Sequence, residues 1–272
     1  MSKPTRFGIA VAALALGFAL GGGAPPAGAE VRSWEDALER RVPESAEVIE
    51  LGRQVYEKTC VHCHGESGDG KGTGERVLFN KPRIFAEGEF KIRTTPTGSL
   101  PTDEDLFRSI SVGFPVYGMP RFEYLTPGER WGLVYYIKTL SPRFQQDEPD
   151  ETIEIGGETP ETAETLARGK EVFAMMECHR CHGDDGKGDG PSAAYLKDTG
   201  GQPARIIDLT RTEEVFKRGA RARDIAFTFM TGLSGSPMPS YGEVMSPEDV
   251  WALAHYIKSL VGREGADGRS SK

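Results

Sequence analysis

Two pentapeptides, Cys60-Val61-His62-Cys63-His64 and Cys178-His179-Arg180-Cys181-His182, constrain this chain more than any other feature. Each reads Cys-x-x-Cys-His, the spacing for covalent c-type haem attachment. The two thiols add across the vinyl groups of one haem, and the adjacent histidine ligates iron on the proximal side. Two intervening residues bring both sulfurs and the imidazole onto one short helical turn. A lone match would be weak; here two matches use all 4 cysteines of the chain. Other readings are a zinc site, a thioredoxin-like redox pair and a disulfide scaffold. The distance between the pairs weighs against zinc. The flanks lack the strand and long helix of a thioredoxin motif, and four cysteines in 272 residues is not a disulfide-dense composition.

The N-terminus agrees with export. Lys3 and Arg6 precede the apolar run Phe7 to Leu20, and Ala27-Gly28-Ala29 is an A-x-A cleavage pattern. Residues 1–29 are therefore expected to be a signal peptide, with the periplasm as destination. The run is short for a membrane span, so no span is expected in the mature form. Removing Lys3 and Arg6 takes the formal charge from −8 to −10. So acidic a protein will not seek nucleic acid or anionic lipid.

The chain also repeats itself. Gly52, Val55 and Tyr56 precede the first motif as Gly169, Val172 and Phe173 precede the second. Gly65, Gly68, Gly70 and Gly72 are answered by Gly183, Gly186, Gly188 and Gly190. Met119-Pro120 is answered by Met238-Pro239, and Trp131, Tyr136, Ile137, Lys138 and Leu140 by Trp251, Tyr256, Ile257, Lys258 and Leu260. The matched positions lie 117 to 120 residues apart. Two homologous domains follow, at 30–144 and 166–261.

Within the first domain a helix is expected over Ala46 to Lys58, with Val48, Leu51 and Val55 on its apolar face. A second should run from Asp103 to Val112, capped by Thr102 with Asp105 and ended by Gly113. A last helix should start at Thr126-Pro127 with Glu129 completing a capping box. The second domain repeats this order, with a helix near Arg223 to Thr231 and another from Ser246-Pro247 capped with Asp249. The acidic linker 145–165 carries eight acids and no Lys or Arg; an exposed, extended strap is expected there, the alternative being that it packs across the other domain. The tail 262–272 is polar and expected to be disordered.

Each haem iron needs a second axial ligand, and its identity separates electron transfer from substrate chemistry. Met119 lies 55 residues after His64, and Met238 lies 56 after His182. Thioether ligation would raise the potential and close the iron. Met175, Met176, Met230 and Met245 read as core fillers, the first two being the rivals closest to a motif. His62 and His179 occupy the variable motif positions and should point outward. His255 reads as a packing or partly exposed residue. Arg83, Lys91, Arg93 and Arg205 are candidates to neutralise haem propionates.

The motifs, the Gly65-Glu66-Ser67-Gly68-Asp69-Gly70 and Gly183-Asp184-Asp185-Gly186-Lys187-Gly188 loops, and the tails around Met119 and Met238 resemble class I c-type cytochromes in their dihaem, two-domain form. The resemblance implies an all-α fold of two tandem helical domains, each wrapping one covalent haem. Cys60, Cys63, His64 and Met119 would serve one haem; Cys178, Cys181, His182 and Met238 would serve the other. The implied function is electron transfer between periplasmic or membrane-bound redox proteins, as a shuttle or as the cytochrome subunit of an oxidoreductase or respiratory complex. The competing class is a dihaem enzyme, such as a peroxidase or a sulfur-compound dehydrogenase.

Overall fold

The computed structural model describes residues 33–78 and 80–263. The expected signal peptide lies outside the described residues, as does the tail beyond 263. The described residues form helices and loops with no strand; the only bridges among them are the isolated pairs Phe114–Met119 and Lys197–Pro203. None of these helices is long and apolar enough to cross a membrane. The architecture is all-α.

The first repeat contains α1 (Trp34–Leu38), α2 (Ala46–Thr59), α3 (Val61–His64), α4 (Asp103–Val112), α5 (Pro127–Thr139) and the single turn α6 (Arg143–Gln146). The second contains α7 (Ala163–Met175), α8 (His179–His182), α9 (Ala222–Thr231) and α10 (Pro247–Leu260). The dominant packing is the same in both: α2 crosses α5, and α7 crosses α10.

Those crossings depend on glycine. A Cβ on Gly52 would lie 1.9 Å from the Gly132 carbonyl oxygen, and one on Gly169 would lie 2.0 Å from that of Ala252. The helices touch backbone to backbone, which only a residue without a side chain permits. This moves the buried face of α2. Gly52, Val55 and Tyr56 are buried, whereas Leu51 is exposed. The apolar stripe expected through Leu51 is centred instead on the glycine contact.

Local capping follows the sequence closely. Thr102 with Asp105, and Thr126 with Glu129, form reciprocal capping boxes. At α10 Ser246 accepts from the Asp249 amide, but the Asp249 carboxylate takes the Arg168 guanidinium at 2.7 and 3.0 Å. The last helix is thus tied to α7, and its capping box is only half formed.

The linker is no free strap. Most of its acids are exposed, yet Ile155 is buried in the core of the second repeat and Ile153 packs beside it. The Ile153 amide donates to the Thr94 carbonyl at 2.8 Å. His255 is buried on α10 and hydrogen-bonds the Thr159 carbonyl at 2.8 Å through Nε2, while Lys258 pairs with Glu161 at 3.0 Å. Two isoleucines and a clamp from α10 hold a segment whose composition alone suggested solvent.

The repeats also join directly. Arg93, expected among the propionate partners, is buried in this junction: its guanidinium donates to the Thr231 carbonyl at 2.7 Å and to that of Pro96 at 3.0 Å. Arg218 donates to the Arg93 carbonyl at 3.1 Å, and Thr97 donates to the Thr231 carbonyl at 2.8 Å.

Candidate functional site

Each haem motif is a single helical turn entered from a long helix. The Cys60 amide donates to the Tyr56 carbonyl as α2 ends, and the His64 amide donates back to the Cys60 carbonyl at 2.9 Å. In the second repeat the His182 amide bonds the Cys178 carbonyl, also at 2.9 Å. The entry there is tighter: Glu177 is the only non-glycine with positive φ among the described residues.

The glycine loop then folds under the histidine. The Gly70 amide donates to the His64 carbonyl at 2.9 Å, and the Gly188 amide to that of His182 at 2.8 Å. Both glycines are left-handed, with φ of 73° and 76°. Next, the Phe85 amide reaches the Gly68 carbonyl and the Leu209 amide reaches that of Gly186, each at 2.7 Å. Phe85 and Leu209 are therefore equivalent, at a larger offset than the 117 to 120 seen elsewhere. The extra residues of the second repeat form the turn around Asp198 and Gln202, joined by the Asp198 amide to the Gln202 carbonyl at 2.9 Å. No conserved-looking pair marks this stretch, so the sequence repeat passes over it.

These backbone paths orient the imidazoles. His64 Nδ1 lies 3.1 Å from the Arg83 carbonyl oxygen, and the His64 ring stacks on Phe85 at 4.5 Å between centroids. The other ring nitrogen is left for a ligand, the arrangement expected of a metal-binding histidine. Burial lowers the pKa of both His64 and His182, against the opposing pull of the Arg83 and Ile207 carbonyls. The shift favours the neutral form, the one that binds metal, although His182 Nδ1, unlike that of His64, makes no hydrogen bond among the described residues.

One continuous cavity of about 930 Å³ receives all of these groups. Its wall includes Cys60, Cys63, His64 and Met119 from the first repeat, with Cys178, Cys181, His182 and Met238 from the second. All eight residues expected to anchor a haem or ligate its iron lie on it. Packed interiors leave few voids larger than a water molecule, so a chamber of this size at two thioether-forming motifs fits a bulky resident group in each repeat. Much of the remaining wall is apolar, including Ile84, Phe85, Ile110, Leu209, Ile225 and Phe229.

The methionine loops differ in construction. Met119 closes a turn with Phe114, the two backbones exchanging hydrogen bonds at 2.8 and 3.2 Å. In the second loop the Leu233 amide donates to the Met238 carbonyl at 3.1 Å, and Ser236 Oγ accepts from the Met238 amide at 3.4 Å. The rival methionines fall elsewhere. Met175 is exposed, Met176 packs on the core of the second repeat, and neither lines the cavity. Met230 is buried and Met245 packs on the same core. His62 is exposed and paired with Thr73 at 2.8 Å. His179 is half-buried rather than outward, with Nδ1 unbonded. Trp131 and Trp251 are core residues away from the cavity.

The thiols do not suit the alternative chemistries. Burial pushes the Cys60 pKa up and that of Cys178 to about 11, whereas reactive redox dithiols have lowered values. Among the described residues no group of three or more His, Cys, Asp or Glu could hold a metal ion.

The sequence reading missed Lys217 and Tyr117. Lys217 Nζ stands 3.3 Å from the centroid of the Tyr117 ring, which belongs to the other repeat. The Tyr117 hydroxyl donates to the Val215 carbonyl at 2.8 Å. Arg83, Lys91 and Arg205 line the cavity with Lys217. Burial, followed by Lys91, Arg205 and Arg83, pushes the Lys217 pKa down to about 7. A faint signal did exist: Phe90-Lys91 recurs as Phe216-Lys217.

Comparisons with known proteins agree with this geometry. Residues 166–261 match the family model "Cytochrome c", and residues 47–137 match "Cytochrome C oxidase, cbb3-type, subunit III". The cbb3-type cytochrome c oxidase subunit FixP of Azorhizobium caulinodans is 22% identical over 211 residues, covering 78% of this chain. The match spans 59% of that relative's length. A chain of the reducing HAO-like protein complex of Kuenenia stuttgartiensis is similar at 42% identity with a TM-score of 0.76, over 81% of this chain and 100% of that one.

Proposed function

The chain belongs to the c-type cytochromes and carries two covalent haems in tandem domains, and on that premise we propose that it is the electron-carrying subunit of a periplasmic redox complex. In this reading His64 and Met119 hold one iron, and His182 and Met238 hold the other. The haems, when bound, supply the one-electron couples. Cys60 with Cys63 and Cys178 with Cys181 would anchor them, His64 and His182 would face them, and the apolar wall would keep water from them.

The observation that carries this reading is the meeting of both His/Met pairs on one cavity. Each histidine comes from a motif turn and each methionine from a separately braced loop. Two closed irons would change little on reduction, which suits electron exchange and not substrate turnover. The subunit role is supported by the likeness to a chain of the Kuenenia complex, matched over that chain's whole length. The FixP relative is also named as a subunit of a larger oxidase.

The test is spectroscopic. The oxidised holoprotein should show a near-infrared methionine-to-iron charge-transfer band with the intensity of two haems per chain. The reduced form should bind carbon monoxide at neither. A band of half that intensity, with carbon monoxide binding at one iron, would replace the carrier reading with a dihaem enzyme.

A further inference from the structure

Five cations line the cavity: Lys81, which is paired with Glu75, and at the meeting of the repeats Arg83 and Lys91 from the first and Arg205 and Lys217 from the second. Glu87, Glu89 and Asp198 act on Arg83, and Glu89 and Asp198 on Lys91. Among the described residues the charged groups that shift Lys217 are Lys91, Arg205 and Arg83, all cations. It is half-buried and held over the Tyr117 ring of the opposite repeat. A desolvated cation without an anion is costly, and like charges gathered around it add to the cost. Glu87, Glu89 and Asp198 also line the cavity and serve Arg83 and Lys91, so an added negative group would relieve Lys217 above all.

We infer that the seam is one shared carboxylate-binding site, in which Lys217, Lys91, Arg83 and Arg205 together take the propionates of both haems. The repeat explains how a single site serves two cofactors. Phe90-Lys91 and Phe216-Lys217 are the same sequence element used twice, and the docking of the repeats brings both lysines to one chamber. Tyr117 fixes the position by pairing its hydroxyl with Val215, two residues before Lys217. A carboxylate here also favours the charged form of Lys217. Because the site is common, one lysine should set the potential of both irons.

The inference needs the two covalent haems and does not depend on methionine ligation. It is tested by redox titration of full-length holoprotein carrying Lys217→Gln, with haem content checked at two per chain. Loss of a positive charge beside the cofactors disfavours the reduced form. Both couples should fall by about tenfold in equilibrium constant, 59 mV for a one-electron couple. Lys217→Arg should recover most of the shift, and the shift should persist in high salt because a desolvated pair is weakly screened. Lys91→Gln provides the same readout if Lys217→Gln does not fold. Movement of one couple alone, of neither, or a shift abolished by salt would overturn the shared site; the last would identify an exposed patch for an acidic protein partner. A normal near-infrared band alongside any of these would leave the carrier reading intact.

Discussion

Arg108 of α4 and Asp224 of α9 form an ion pair across the two repeats, 3.3 Å apart with each side chain 8% exposed. It does not stand alone. Asp224 also takes Arg221 at 2.7 Å, Arg218 lies 3.7 Å from Asp105, and the Arg108 guanidinium packs on the Trp34 ring. Burial pulls the Arg108 pKa down to about 10 even with Asp224 beside it. Desolvation therefore outweighs the attraction, and the pair orients the repeats more than it stabilises them.

Removing one partner should leave buried charge behind. Asp224→Ala is expected to cost about 3–5 kcal/mol, read by urea denaturation of the holoprotein. The double variant Arg108→Met with Asp224→Leu should recover part of that loss, since Arg221 and Arg218 also face Asp224. Equal destabilisation by the single and double variants would show that the pair contributes attraction rather than orientation.

The glycine crossings make a sharper prediction. Gly52→Ala places a methyl group against the Gly132 backbone, which no rotamer change relieves. It should destabilise the first repeat by about 3 kcal/mol, the upper end for overpacking. Gly157→Ala, with nothing within 4 Å of the added carbon, should stay within about 0.5 kcal/mol of the parent. Thermal melts of both holoproteins check the contrast.

The methionine assignments separate by variant. Met119→Ala should halve the near-infrared band and let carbon monoxide bind one reduced iron. Met238→Ala should do the same at the other. Met175→Ala, altering an exposed side chain away from the cavity, should change neither signal.

The linker clamp is testable through its backbone. His255→Ala removes the bond to the Thr159 carbonyl and should cost about 1 kcal/mol. Its more specific effect should be faster amide exchange over residues 150–161, with α10 itself still protected. Unchanged exchange there would mean that Ile153 and Ile155 hold the segment unaided.

Much of this was legible because the relevant chemistry is local. Thr102 with Asp105, Thr126 with Glu129, and each Cys-x-x-Cys-His turn are complete within a few residues, so spacing reveals them. The same logic stops short at Asp249, whose carboxylate is claimed by Arg168 from 81 residues away. Leu51 belonged to a plausible helical stripe, but the Gly52 crossing turned α2 so that Leu51 faces out. Ile153 and Ile155 were hidden in an acidic segment because two apolar residues hardly alter its composition. Arg93 and Lys217 sit in similar basic stretches, yet one bonds backbone across the junction and the other faces the chamber. That assignment is made by the docking of the repeats, which no single stretch of sequence describes.

A chamber walled by both halves makes maturation a joint affair. If only one porphyrin were attached, its neighbour would border a hollow that packed proteins avoid, and Lys217 would keep fewer counter-charges. Incompletely loaded chains should accordingly be the ones that quality-control proteases remove, leaving a population in which attachment is complete.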